Sequence, residues 1–155
     1  MDYFSIILYN VDKYTKLKTG ANAYNTLAIT LKPLMDIPKL QEKGLAAHYL
    51  IAKIIHQALF CEVALKALVV RDNKEYGRIH NLDELFHTLN QDTQQKIIDK
   101  MGGMNKDEFE KLIAENNNHF VKWRYFYEEG ATCNVDFMNK CSLAIREVLF
   151  DKSLE

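Results

Sequence analysis

The chain has few of the residues that interrupt helices. Only two prolines and six glycines occur among 155 residues, and no segment of useful length alternates strictly between apolar and polar side chains. Proline and glycine mark turns, and alternation marks half-buried strands, so their scarcity argues against a strand-and-turn architecture. The length suits one domain with a substantial core. We therefore expect a single all-α domain over residues 1–155.

An excess of charge of one sign is also lacking. Twenty basic residues face 21 acidic ones, which gives a formal net charge of −1. A strongly basic balance, which is typical of many nucleic-acid binders, is absent. Any nucleic-acid site on this chain must therefore be a local patch.

The sequence contains three cysteines, Cys61, Cys133 and Cys141, and they follow no metal-ligand spacing. An odd number does not form a complete disulfide set, so we expect reduced, largely buried thiols in a cytoplasmic protein. There is no glycine-rich phosphate loop, paired CxxC motif, nucleophile elbow or zinc motif. We expect neither a metal nor a cofactor.

No long apolar run is free of charged residues. The most apolar stretch, residues 49–70, contains Lys53, Glu62 and Lys66 on several faces, which is costly in lipid. The first ten residues lack a positively charged leader, so we do not expect a signal peptide. We predict that the apolar stretch is a buried core helix and that the protein does not contact a membrane.

Helical spacing of apolar residues predicts seven helices. They cover residues 2–17, 21–34, 44–70, 81–89, 92–101, 105–130 and 134–151. The helices over 44–70 and 105–130 are the two long ones, and the first of these is apolar nearly all round, as expected at the centre of a bundle. Residues 71–79 form a polar loop. The expected architecture is an up-and-down helical bundle with two long core helices and additional short ones.

Single residues predict where several helices begin and end. Gly20 is a stop after the first helix, and Pro33 ends or kinks the second before a connector. Asn81 and Asp92 are plausible caps of the two short helices. The asparagine run over 116–118 is weak helix material and marks a bend or a polar face.

Three stretches in order carry a resemblance to a known family. "ALFCEVALKALVV" supplies an E-x-x-L-K helix, "GRIHNLDELF" supplies H-x-L-x-x-L, and "FVKWRYFYEE" supplies a late arginine–tyrosine pair. This succession resembles the HEPN superfamily (higher eukaryotes and prokaryotes nucleotide-binding domains) over roughly residues 45–150. The resemblance implies a bundle of four or five helices that often forms a homodimer. Many such proteins are metal-independent endoribonucleases of toxin–antitoxin, phage-defence or RNA-processing systems, and others bind nucleotides or act as interaction modules.

The chain departs from the catalytic pattern of that family. The family's ribonuclease motif is an arginine with a histidine four to six residues further on, and no arginine here has a histidine at that distance. The catalytic hypothesis therefore needs a pair that meets only in space, namely His80 and Arg124. Cleavage through the 2′-hydroxyl needs a proton-transfer group and a cation, and these are the right residue types.

A structural role for the same residues is an open alternative. His80 would then cap its helix or bond a loop carbonyl, and Arg124 would pair with Glu62 or Glu128. The helix start at Asn81 offers backbone N–H groups that could hold a phosphate.

Glu62 and Lys66 lie four residues apart in the favourable ion-pair order. In so apolar a helix we expect at least Glu62 to be buried and to need a partner, either Arg124 or His80. Lys66 is also a candidate phosphate contact.

The aromatic cluster beside Arg124 has two interpretations as well. Tyr125 and Tyr127 could stack on bases, since aromatics interleaved with cations do so in RNA-binding proteins. They could equally form core or dimer interface.

The leading hypothesis is a HEPN-like nucleotide- or RNA-associated accessory domain, in the context of a bacterial defence or toxin–antitoxin system, with an antitoxin or a neighbouring-gene protein as a possible partner. The alternatives are an atypical metal-independent endoribonuclease using His80 and Arg124, and a purely structural dimerisation module.

Overall fold

A computed structural model describes residues 11–117 and 134–151, and every regular element within these ranges is an α-helix. The helices follow in chain order as α1 Lys13–Met35, α2 Pro38–Glu42, α3 Leu45–Arg71, α4 Leu82–Thr88, α5 Gln91–Asp99, α6 Lys106–Glu115 and α7 Val135–Leu149. The predicted all-α class is confirmed. None of these described helices is both long and apolar enough to cross a membrane.

Helix α3 is the central element, and its extent confirms the prediction over residues 44–70. Its 27 residues make it about 40 Å long. Gly44 precedes it with a φ of 68°, a left-handed conformation that turns the chain between α2 and α3 and that favours glycine. Helices α1 and α7 pack against α3. Its side chains Leu65 and Leu68 are completely buried in the core that these helices form.

Helix α1 continues through Gly20, so the predicted stop there, and with it the predicted helix start near Ala21, is wrong. A Cβ built on Gly20 would lie 3.6 Å from Val63 Cγ1 of α3, an ordinary contact distance, so an alanine would also fit here. Ala21 and Ala28 of α1 are buried, and α1 packs against α3. The resulting packing offsets the cost of about 1 kcal/mol for a glycine inside a helix.

The start of α1 is capped by Asp12. One carboxylate oxygen accepts from the Thr15 backbone N–H at 2.9 Å, and the other accepts from the Thr15 hydroxyl at 2.7 Å. These hydrogen bonds lower the pKa of Asp12, because they favour the charged form. The predicted helix over 2–17 therefore begins, within the described residues, only at Lys13, and residues 1–10 lie outside them.

The end of α1 follows Pro33 as predicted. The helix stops two residues later at Met35, and the Asp36 N–H donates to the Pro33 carbonyl. The predicted connector after α1 contains the short helix α2, which has Pro38 at its first position. Proline suits that position because the missing N–H would have no helical partner there.

Helix α5 is capped from a distance, and the predicted cap at Asp92 is wrong. The N-cap position is Asn90, whose own side chain makes no capping bond. Instead the carboxylate of Asp72, just after α3, accepts from the Asn90 N–H at 2.7 Å and from the Thr93 hydroxyl at 2.9 Å. This contact ties the start of α5 to the end of α3.

The predicted long helix over 105–130 ends at Glu115. Asn116, the first residue of the asparagine run, is the C-cap, and its side-chain oxygen accepts from the Asn134 N–H at 3.2 Å. Asn134 in turn caps α7 through the Phe137 N–H. The asparagine therefore joins two helices, and the remainder of that prediction lies outside the described residues. The two long helices of the described fold are α1 and α3.

Three phenylalanines hold the short helices together. The ring of Phe109 on α6 lies 4.8 Å from that of Phe86 on α4 and 5.8 Å from that of Phe137 on α7, measured between centroids. All three are almost completely buried. Because this layer fixes α4 against the bundle, it also fixes the residues that lead into α4.

Two of the three cysteines lie in the core, as predicted. Cys61 and Cys141 are free and buried, and Cys133 lies outside the described residues. A hydrogen bond with Cys141 and burial both raise the pKa of the Cys61 thiol well above its ordinary value. The neutral thiol is therefore the stable form at this position.

Candidate functional site

Three polar side chains meet where α3 passes the start of α4. Glu62 and Lys66 occupy successive turns of α3 and are buried, with 7% and 11% of their side chains exposed. His80 lies directly before the N-cap of α4, and 63% of its side chain is exposed. The structure therefore brings together the predicted pair on the central helix and the predicted histidine.

One oxygen of Glu62 is shared by two donors. Glu62 Oε1 lies 2.6 Å from Lys66 Nζ and 2.9 Å from His80 Nδ1. An ionised carboxylate only accepts hydrogen bonds, so a proton on His80 Nδ1 satisfies this contact; Lys66 Nζ also lies 3.4 Å from the same nitrogen. Within residues 11–117 and 134–151 the other ring nitrogen, Nε2, has no hydrogen-bond partner, so the described residues leave it available to a ligand.

The second oxygen of the carboxylate is unsatisfied. Glu62 Oε2 is buried and has no hydrogen-bond partner within residues 11–117 and 134–151. Burying a charged oxygen without a partner costs free energy. The expectation that a buried Glu62 recruits His80 is met, but half of its hydrogen-bonding capacity is unused in the described part of the chain.

Two lysines lie over the ring of one tyrosine at the edge of the cluster. Lys66 Nζ lies 5.3 Å from the centroid of the Tyr76 ring, and Lys13 Nζ, from the start of α1, lies 4.4 Å from it. Both distances are within the range of cation–π attraction. Lys13 is exposed, so it adds positive charge at the surface beside Tyr76. The cluster thus holds one carboxylate, two lysines and a histidine.

The side-chain amide of Asn81 and the N–H groups that follow it are already hydrogen-bonded within the protein, so they are not free to bind a phosphate. Asn81 Nδ2 donates to Glu84 Oε1, and the Asp83 N–H donates to Asn117 Oδ1 at 3.2 Å. The Glu84 N–H is likewise engaged, by the Asp83 carboxylate at 2.8 Å. Protein acceptors therefore occupy N–H groups that were expected to be available, and Asn81 is left out of the site proposed below.

The other predicted site residues are Arg124, Tyr125, Tyr127 and Glu128, and they lie outside the described residues. A contact of Arg124 with Glu62 or with His80 stays a prediction. Sequence reasoning missed Lys13 and Tyr76 altogether. No local pattern could have found them, because they reach the cluster from separate elements 63 positions apart in the numbering.

Comparison with known proteins places the chain in a family. The family model described as "HEPN domain" matches residues 46–149, about two-thirds of the chain. The match begins next to the start of α3 and runs to the end of α7, so it includes the Glu62, Lys66 and His80 cluster. No curated protein and no solved structure matches the chain. The chain belongs to the HEPN domain family.

Proposed function

We propose that this HEPN domain is a nucleotide- or RNA-associated accessory domain that contacts phosphate through His80 and its neighbouring lysines. The observation that carries the proposal is a histidine with 63% of its side chain exposed, whose Nδ1 is held by a buried carboxylate at 2.9 Å and whose Nε2 has no partner among the described residues. Such an anchor fixes the ring without blocking the nitrogen that would meet a ligand.

The charges around the anchor favour an anion. Lys66 neutralises Glu62, so the exposed Lys13 is the cation that this cluster of four side chains presents at the surface. The chain as a whole has a formal charge of −1, which makes this a local patch of the kind that a weakly charged RNA binder requires. In this proposal the domain serves a bacterial defence or toxin–antitoxin system, as a homodimer or with an antitoxin or neighbouring-gene protein.

A second candidate function is a metal-independent endoribonuclease, and the pairing of Glu62 with His80 favours it. A carboxylate that orients a histidine leaves Nε2 able to accept and return a proton, which is the arrangement that general acid–base catalysis uses. In this candidate Arg124 supplies the cation that stabilises the charged phosphorus centre, as the sequence predicts. Tyr125 and Tyr127 stay candidates for base stacking in either case.

The test compares three variants with the wild-type protein. His80→Gln and Arg124→Ala remove proposed ligand contacts. His87→Gln is the matched control, since His87 lies on α4 with 53% of its side chain exposed and pairs with Glu110 outside the cluster. Binding of a fluorescein-labelled single-stranded RNA is followed by anisotropy across a salt series, with ATP as competitor. Cleavage of the same RNA is followed on gels in excess chelator.

We expect His80→Gln and Arg124→Ala to weaken RNA binding severalfold at low salt and to flatten its salt dependence, because each removes a phosphate contact on the order of 1 kcal/mol. His87→Gln should bind as wild type does. Cleavage that both variants lose would make the domain a nuclease. Absence of both binding and cleavage would overturn both proposals and leave a dimerisation module.

A further inference from the structure

A pocket of about 370 Å³ lies on the opposite side of α3 from His80, between α1, α3 and α7. Its volume is within the range of small-molecule sites. Its polar wall consists of Lys53 and Gln57 from α3 with Asn139 and Ser142 from α7. None of these residues belongs to the proposed RNA site.

The hydrogen bonds of this wall leave one acceptor unused. Lys53 Nζ donates to Asn139 Oδ1 at 2.8 Å, and Gln57 Nε2 donates to the same oxygen at 2.8 Å. Because an ammonium group only donates, the Asn139 oxygen must face Lys53, and this fixes Gln57 Nε2 as a donor as well. Gln57 Oε1 is therefore an acceptor. It is buried and has no partner among residues 11–117 and 134–151, so the polar wall is incompletely satisfied within the described part of the chain.

The charge of the pocket is also unbalanced. Lys32 of α1 lines the pocket together with Lys53, and no acidic side chain is among the lining residues that the structure describes. Burial, and then repulsion from Lys32, lower the pKa of Lys53. An anion placed between the two ammonium groups would remove the repulsion and supply the missing counter-charge.

The rim of the pocket is apolar. Ile29 of α1 and Leu143 of α7 are among the few large apolar side chains that are exposed, at 54% and 53%, and both line the pocket together with the buried Phe60. Apolar surface beside a charged and partly unsatisfied polar wall suits a ligand with two unlike ends.

We propose that this pocket binds a small amphipathic organic anion. Its anionic group lies between Lys53 and Lys32, and its apolar body covers Ile29 and Leu143. A second copy of the chain fits these observations less well, because the unsatisfied groups lie inside a concave site rather than on a flat apolar face.

The test uses a probe with this chemistry. Anilinonaphthalene sulfonate has a sulfonate, an anilino N–H and an aromatic body, and N-phenylnaphthylamine is the same molecule without the sulfonate. Both titrations are followed by fluorescence with the wild-type protein, Lys53→Met, Lys32→Met and the control Lys96→Met, which removes an exposed lysine of α5 that does not line the pocket. Circular dichroism confirms the fold of each variant, and sedimentation gives its oligomeric state.

We expect the wild-type protein to bind the sulfonate at least about tenfold more tightly than the neutral analogue, as a charge-assisted hydrogen bond predicts. Lys53→Met should remove most of this preference, Lys32→Met should reduce it, and Lys96→Met should preserve it. Equal binding of the two probes, or equal effects of all three variants, would overturn the proposal. Probe binding that disappears as the protein dimerises would instead assign the pocket to a second copy. Failure here would not affect the RNA test, because the residues differ.

Discussion

Removing Glu62 alone should destabilise the fold far more than removing Glu62 and Lys66 together. Glu62→Leu leaves the Lys66 ammonium with 11% of its side chain exposed and without the carboxylate that lies 2.6 Å from it. Breaking a buried ion pair on one side costs about 3–5 kcal/mol, since the remaining charge is buried without compensation. We expect the lower end of this range, about 3 kcal/mol, because the Tyr76 ring 5.3 Å away partly stabilises the cation.

The double variant Glu62→Leu/Lys66→Met replaces the pair with apolar side chains in an apolar helix. Such replacements are often neutral or stabilising, so we expect a free energy of unfolding within about 1 kcal/mol of wild type. Lys66→Met alone should cost less than Glu62→Leu, because the carboxylate keeps His80 as a partner at 2.9 Å. The coupling energy between the two positions should therefore be about 2 kcal/mol or more.

Urea unfolding followed by circular dichroism measures these differences, and an unchanged m value shows that the unfolded states are comparable. In a thermal scan, about 3 kcal/mol corresponds to a Tm lower by roughly 6–12 °C for a chain of this size. If Glu62→Leu costs less than about 1 kcal/mol, or if the double variant loses the sum of the two single losses, then the pair is effectively solvated and the argument from burial is wrong.

Two further predictions concern the helix ends. Asn116→Ala should lower the free energy of unfolding by about 1–3 kcal/mol, because it deprives the Asn134 N–H of its partner and removes one of the two N–H donors to the Leu112 carbonyl; a change below about 0.5 kcal/mol in the urea midpoint analysis would contradict this. The bonds to Thr15 lower the pKa of Asp12 in the folded state. The charged carboxylate therefore adds stability at pH values above its ordinary pKa of 3.8. This contribution disappears as the pH falls below that value toward the folded pKa. The stability difference between wild type and Asp12→Asn should therefore shrink on acidification, and a difference that is constant from pH 7 to pH 3 would refute it.

The sequence predicts best those helices whose burial follows from their own periodicity. The helix over 44–70 is found as α3, and the one over 134–151 is found as α7, with Phe137, Cys141, Ala144, Val148 and Leu149 buried as the spacing requires. The error at Gly20 has a tertiary cause. Glycine inside a helix is a weak stop signal, and the packing of α1 against α3 overrides it.

Capping is the level at which local reasoning fails next. The cap of α5 comes from Asp72, which lies 18 residues before Asn90, so no local pattern near Asp92 contains it. The sequence correctly predicts that the asparagine run beginning at Asn116 weakens the helix. The bond from Asn116 to Asn134, however, depends on how two helices meet. The role of a side chain that binds another helix cannot be predicted until the positions of both helices are known.

The candidate site was predictable in part for a physical reason. A glutamate inside an apolar helix must have a partner, and this requirement indicates either Arg124 or His80 for Glu62; the structure shows the contact with His80. The same reasoning applies to the pocket beside α1 and α7, since its residues Lys53 and Gln57 are also four residues apart in that helix. Their partner Asn139, on the other hand, comes from α7 and could not be assigned.

The two polar pairs of α3 lie on different faces of the same helix. The midpoints of Lys53/Gln57 and Glu62/Lys66 are nine residues apart, which is two and a half helical turns and about 13 Å along the axis. Half a turn places them on opposite sides, so their substitutions should be additive within about 0.5 kcal/mol. Lys53→Met should then leave RNA binding unchanged, and His80→Gln should leave sulfonate binding unchanged. A larger coupling would mean that the two pairs interact through the helix, and the assumption of independent sites would be wrong.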